Sequence, residues 1–69
     1  MSRLFNRLKE LRSEAGHTQA QLAEAVGVSR KTINTIENRV FIPSALLALK
    51  LAAELGVPVE DVFYLGDDE

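Results

Sequence analysis

Sixty-nine residues with a net charge of −2 and 46% apolar side chains suffice for one small globular domain and leave no room for a second core. The lack of cysteine removes disulfides and thiolate metal ligands, and His17, the sole histidine, makes a histidine zinc site or a Ser-His-Asp triad within one chain implausible. No apolar run approaches the ~20 residues of a membrane span, and the N-terminal dozen lacks a signal peptide's apolar core, so a cytoplasmic protein without metal or cofactor is expected.

Ser2 can cap a first helix running to about Ala15, with Leu4, Leu8 and Leu11 on one face and Gly16 at its end. Thr18 and Gln21 have capping-box spacing, in which each side chain satisfies an orphan backbone N–H of the other. They open a second helix, Gln19–Val26, whose Leu22, Ala23 and Val26 recur at helical period. Gly27 can take positive φ without a Cβ clash. Ser29 then caps a third helix, Arg30–Asn38, with Ile33 and Ile36 as its buried edge. A loop from Arg39 to Pro43 leads to Ser44, the cap of a fourth helix over Ala45–Leu55 that Gly56 ends. Pro58 favours a short fifth helix to about Tyr64, with Val62 and Phe63 available to close the core. No strand alternation is present. The expected fold is all-α, a bundle of five short helices in a domain of residues 1–65, with 66–69 as a solvated acidic tail.

Residues 18–38 thus read as two short helices joined by a tight turn, and Ala23 is small where the two must approach closely. That is the logic of a helix-turn-helix, whose second helix enters a major groove. Its outward positions carry Ser29, Arg30, Lys31, Asn34 and Thr35. Arg and Lys reach guanine O6 and N7, Asn pairs with adenine N6 and N7, and Thr suits a base edge or a thymine methyl. The competing interpretation is a plain solvated helix face. Charge is also asymmetric: residues 1–39 hold seven basic and four acidic side chains, whereas residues 40–69 hold Lys50 against six acids. One DNA-facing side is consistent with such a distribution.

The order T-Q-x-x-L-A-x-x-x-G-V-S-x-x-T-I-x-x-I-E-N, then P-S and a helix ending L-A-x-x-L-G-V, resembles the Cro/C1-type (XRE) helix-turn-helix regulators over about Leu8 to Phe63. The resemblance implies a five-helix bundle of the lambda-repressor-like type that binds double-stranded DNA, usually as a dimer on a partly palindromic operator. It also implies phosphate contacts at Gln19 and Asn38, base contacts on the third helix, and a partly buried ion pair between Arg12 and Glu37. His17 stands where the family more often has an apolar residue and is expected to be a surface staple.

Two departures are informative. Arg39 occupies the place of a family glycine, which puts a cation near a DNA phosphate at a cost on the order of 1 kcal/mol if that turn is left-handed, unless Asn38 takes that conformation instead. The fourth helix carries an inward stripe of Leu47, Ala48, Leu51, Ala52 and Leu55 and a second stripe of Leu46, Leu49 and Ala53. An all-round apolar helix must be covered on more than one side. Together with Phe41 and Ile42, Leu46 and Leu49 are expected to form a homodimer interface; the alternative is a loop folded back over the stripe within one chain. The expected function is a transcriptional regulator, a repressor in preference to an activator, with no small-molecule ligand and no membrane partner. An antitoxin or a restriction controller falls in the same class. The rival from another class is a protein-interaction module using Phe41, Ile42 and Leu46. Enzymatic function is the weakest reading, since Ser29, His17 and Glu37 lack nucleophile-like spacing.

Overall fold

The computed structural model describes residues 2–67. In chain order these form β1 (Ser2–Asn6), α1 (Leu8–Glu14), α2 (Gln19–Val26), α3 (Arg30–Glu37), α4 (Ala45–Leu55), α5 (Val59–Val62) and β2 (Phe63–Asp67). The core is shared by all five helices. Leu8, Leu22, Ile33, Ile36, Leu51 and Val62 are fully buried, with Ala23, Val26 and Ala52 filling the closest approaches. Each fully buried large side chain contributes about 1.5–3 kcal/mol relative to leaving it in water.

Side-chain chemistry sets the helix starts. The Thr18 hydroxyl accepts from Gln21 N while the Gln21 side chain accepts from Thr18 N, closing the box at α2. Ser29 accepts from Thr32 N at 3.2 Å and Ser44 from Leu47 N at 3.1 Å. Gly27, at φ 80°, ends α2 in the left-handed region that lets the chain turn sharply into α3.

The chain ends depart from the all-α expectation. Residues 2–6 are not the first turns of a helix but a strand paired antiparallel with β2, in the register Ser2↔Asp67 through Asn6↔Phe63. The expected fifth helix stops at Val62, and Phe63 and Tyr64 enter the sheet. Gly66 and Asp67, read as tail, belong to β2 as well; Asp68 and Glu69 lie outside the described residues. Phe, Tyr and Leu suit a pleated, half-buried surface, and the partner strand lies some sixty residues away, beyond the reach of local periodicity. Ser2 therefore caps nothing at α1. Arg7 stands at the cap position without a side-chain capping bond, and the Oδ1 of Asn6, one residue earlier, accepts from Leu8 N at 3.0 Å.

One face of this sheet is an aromatic platform. The Phe5 and Tyr64 rings, directly opposite in register, stack at 5.9 Å between centroids and 18° between planes. A Cβ at Gly66 would come within 2.8 Å of the Phe5 ring, so glycine there makes room for the stack. The Arg39 guanidinium lies over the Phe5 ring, 3.9 Å from its centroid. Arg39 itself sits at φ 62°, the left-handed conformation of the family's glycine, while Asn38 stays at φ −90°. The ring contact, about 0.5–1 kcal/mol at an exposed site, offsets part of the left-handed cost of roughly 1–2 kcal/mol. Arg39→Ala, which keeps the strain and loses the ring contact, should lower stability by about 1 kcal/mol more than Arg39→Gly, which loses both. Urea denaturation of the two variants measures the difference, and equal midpoints would show that the backbone here is unstrained.

Candidate nucleic-acid interface

The eight-residue α3 is anchored by Ile33 and Ile36 and turns its other face to solvent. Arg30, Lys31 and Asn38 are exposed there, and Asn34 and Thr35 are half-buried at its flanks. Thr35 Oγ1 lies 3.0 Å from both Lys31 O and Thr32 O, so its hydroxyl hydrogen is turned back onto the helix. At the other end, the Ser29 hydroxyl caps the helix and shares a hydrogen bond with Thr32 Oγ1 at 3.0 Å.

A polar network fixes this helix to α1 and α2. Arg12 Nε meets Glu37 Oε2 at 2.7 Å, with the two side chains 11% and 3% exposed. Arg12 Nη1 also donates to His17 O at 2.9 Å, holding the turn before α2. Glu37 Oε1 accepts from Gln19 Nε2 at 2.9 Å, and the same nitrogen donates to Asn34 Oδ1 at 3.2 Å. Gln19 Oε1 faces Arg30 Nη1 at 3.4 Å. Asn38 Nδ2 donates to Asn34 O at 2.9 Å and reaches Asn34 Oδ1 at 3.3 Å. Both amide hydrogens of Gln19 are thus engaged within the chain.

The comparisons with known proteins agree on one family. The helix-turn-helix family model matches residues 8–62. The chain belongs to the helix-turn-helix family. It is 44% identical over 63 residues to YgzD of Bacillus subtilis, an uncharacterised HTH-type transcriptional regulator, covering 91% of this chain and 96% of the relative. A second such regulator, MJ0272 of Methanocaldococcus jannaschii, is 47% identical over 64 residues, covering 93% and 97%. Among solved structures, a Bacteroides fragilis protein superimposes with a TM-score of 0.82 at 29% identity, covering 90% of this chain and 100% of that one. The restriction-modification controller protein C.AhdI of Aeromonas hydrophila gives 0.75 at 33% identity, covering 80% of each. The Cro/C1-type resemblance therefore holds, within a fold that adds a small two-stranded sheet to the five helices.

Within this helix-turn-helix the loop after α3 behaves differently from a covering flap. Val40 N and Phe41 N both donate to Thr35 O, wrapping the loop around the end of α3. Phe41 lines a shallow groove with Ser29, Lys31, Thr32, Thr35 and Val40. Leu46 lines another, with Val26, Val28, Ser44 and Lys50. Phe41 and Leu46 thus line different grooves, while Ile42 and Leu49 line neither. The loop does not cover the second stripe of α4, since Ile42, Leu46 and Leu49 are 70%, 65% and 57% exposed. Sequence reasoning missed Asn6, whose Nδ2 donates to Ile36 O at 2.9 Å and closes the end of α3. It also missed Phe5 and Tyr64. An asparagine two residues before a leucine-rich stretch is a helix-cap signal that could have found the first of these. Among the described residues no His, Cys, Asp or Glu cluster is placed to hold a metal, and no helix is long and apolar enough to cross a membrane.

The Glu37 side chain is almost fully enclosed, and Arg12 is the cation paired with it. Arg12→Met alone should cost about 3–5 kcal/mol by stranding that carboxylate, whereas Arg12→Met with Glu37→Met should cost markedly less. Chemical denaturation of the single and double variants tests this, and a double variant no more stable than the single would count against it.

Proposed function

We propose that this protein is a sequence-specific double-stranded DNA-binding transcriptional regulator that acts by occupying a promoter, as a homodimer on a partly palindromic operator. The observation that carries the reading is α3 itself: a short helix with Arg30 and Lys31 exposed, clamped by the Arg12–Glu37–Gln19 network along one flank. Rigid presentation of such side chains is what base reading needs, because each misplacement forfeits a directional hydrogen bond. Arg30 and Lys31 donate to guanine edges. Ser29 and Thr35 border the same groove, and the Thr35 methyl suits a thymine methyl since its hydroxyl is occupied by the helix backbone. Asn38 and Arg39 lie at the helix end beside the path of the phosphates. The backbone N–H groups at the start of α2 serve the phosphate contact at Gln19, because the amide hydrogens of its side chain are engaged.

Dimerisation is supported by the uncovered apolar side chains Ile42, Leu46 and Leu49. Phe41 belongs to the groove beside α3 and contributes only at its margin. Two recognition helices in fixed geometry fall one helical turn apart, about 34–36 Å, on one side of the duplex. The likeness to a restriction-modification controller protein supports a role in controlling gene expression.

Binding to a cognate duplex should weaken about 10³–10⁵-fold between 50 and 200 mM salt if the dimer makes six to ten phosphate contacts. Arg30→Ala should cost about 1–3 kcal/mol and relax preference at one base pair. Titrations of fluorescent duplexes measure both. Indifference to salt and to Arg30→Ala would instead favour a protein-interaction module. For the dimer, Leu49→Lys should shift sedimentation to the monomer and lower operator affinity by about 10²–10⁴-fold through loss of the linked second contact. A sedimentation profile unchanged by Leu49→Lys would remove this surface from the interface.

A further inference from the structure

Asparagine is ordinarily ambiguous at a DNA interface, because its amide offers a donor and an acceptor and can turn either way. At Asn34 the choice is fixed from two directions. The first runs from Arg12. Its guanidinium pairs with Glu37, and a carboxylate so paired can only accept, so Gln19 must present its Nε2 to Glu37 Oε1 at 2.9 Å. The opposite end of the Gln19 amide agrees, since Oε1 faces Arg30 Nη1, a group that can only donate. The second hydrogen on Gln19 Nε2 is then directed at Asn34, which must answer with an acceptor, and its Oδ1 lies 3.2 Å away.

The second direction runs from the helix backbone. Asn38 Nδ2 donates to the Asn34 carbonyl, another group that can only accept, which fixes the Asn38 amide with its nitrogen toward Asn34 Oδ1 at 3.3 Å. Two donors, each oriented by an acceptor that cannot change role, converge on one oxygen. Turning the Asn34 amide over would set its NH2 against both of them.

We infer that Asn34 meets the duplex as a donor only, and that it favours guanine, which offers two adjacent acceptors in O6 and N7, over adenine, whose N7 accepts but whose neighbouring N6 can only donate, and over thymine, which offers O4 alone. This deepens the DNA-reading proposal and rests on it. The two-pronged adenine contact expected from an unconstrained asparagine is closed, because its acceptor half is consumed inside the protein. Gln19 becomes a positioning residue for base choice, acting through Asn34 and not through the duplex.

Selection of bound duplexes from a random pool, with the full chain and three variants, tests this. Circular dichroism establishes that each variant is folded. Asn34→Ala should level the preference at one base pair of each half-site by about 5- to 100-fold, leaving other positions intact, and the wild-type chain should take guanine there. Asn34→Asp, whose outward oxygen can only accept, should exchange guanine for adenine or cytosine at that position. Gln19→Ala removes one of the two donors that hold the Asn34 carbonyl and should admit adenine alongside guanine, an effect that a purely structural role for Gln19 would not produce. A wild-type preference for adenine, thymine or cytosine at the position levelled by Asn34→Ala would overturn the inference. So would an Asn34→Ala variant that weakens every duplex alike, which would assign the donor to a phosphate. Either result leaves base reading by Arg30 standing, whereas a wild-type chain selecting no consensus would remove the DNA-reading proposal itself.

Discussion

The Glu37 side chain, 3% exposed, sits at the meeting point of three helices and pairs with the guanidinium of Arg12 at 2.7 Å. An unpaired carboxylate in that position would carry a desolvation cost of several kcal/mol, more than a domain of this size can absorb. The pair therefore imposes a geometry: α1, which carries Arg12, must lie where its guanidinium reaches the last residue of α3. Arg12 also donates to His17 O, so the turn into α2 is set by the same side chain. Gln19, at the start of α2, completes the triangle by donating to the remaining oxygen of Glu37. The Coulombic gain of such a pair does not by itself make a fold stable. Its consequence is directional, because one group that can only accept sets the orientation of every amide wired to it.

The chain ends supply the second constraint on α3. Asn6 uses one side chain twice, accepting from Leu8 N through Oδ1 and donating to Ile36 O through Nδ2. Strand β1 holds Asn6 in place by pairing with β2, and Phe5 on that strand receives the Arg39 guanidinium. The recognition helix is thus tethered on its α2 flank by the carboxylate network and at its C-terminal end by the sheet. An isolated two-stranded sheet is marginal in water. Here it is maintained by the Phe5–Tyr64 stack and by the packing of Val62 and Phe63 on the core, where α5 runs into β2.

Helices α2 to α4, their caps and the turns between them were legible because each is encoded locally. Thr18, Ser29 and Ser44 lie next to the backbone groups they satisfy, and the apolar period of α2 to α4 reports which face is buried. The matched family confirms the order of motifs over residues 8–62. The strands were not legible, because Ser2–Asn6 contains leucine and phenylalanine at a spacing that suits a helix as well as a strand. Only pairing with residues at the far end of the chain decides between them. Val62 and Phe63 were read as closing the core, and Val62 does so fully. For the interface, residue types were readable and residue states were not. Asn34 could be placed on the outer face of a helix from its position alone, but which end of its amide is free depends on Gln19, Glu37 and Asn38 together.

That dependence follows from the size of the parts. A helix of eight residues is too short to persist in isolation, since nucleation costs more than so few backbone hydrogen bonds return. The rigidity of α3 is therefore borrowed: from Ile33 and Ile36 below, from Glu37 at the side, from Asn6 and the wrapped loop at its end. Each tether consumes hydrogen-bonding capacity that an unconstrained helix would present to a ligand. Thr35 has spent its hydroxyl hydrogen, Gln19 both amide hydrogens, and Asn34 its carbonyl. What remains outward is weighted toward donors, from Arg30, Lys31 and the Asn34 amide, against methyl groups. On the proposed reading, a surface of that composition favours guanine edges and thymine methyls over adenine, and the bias originates in how the helix is held as much as in which residues it carries.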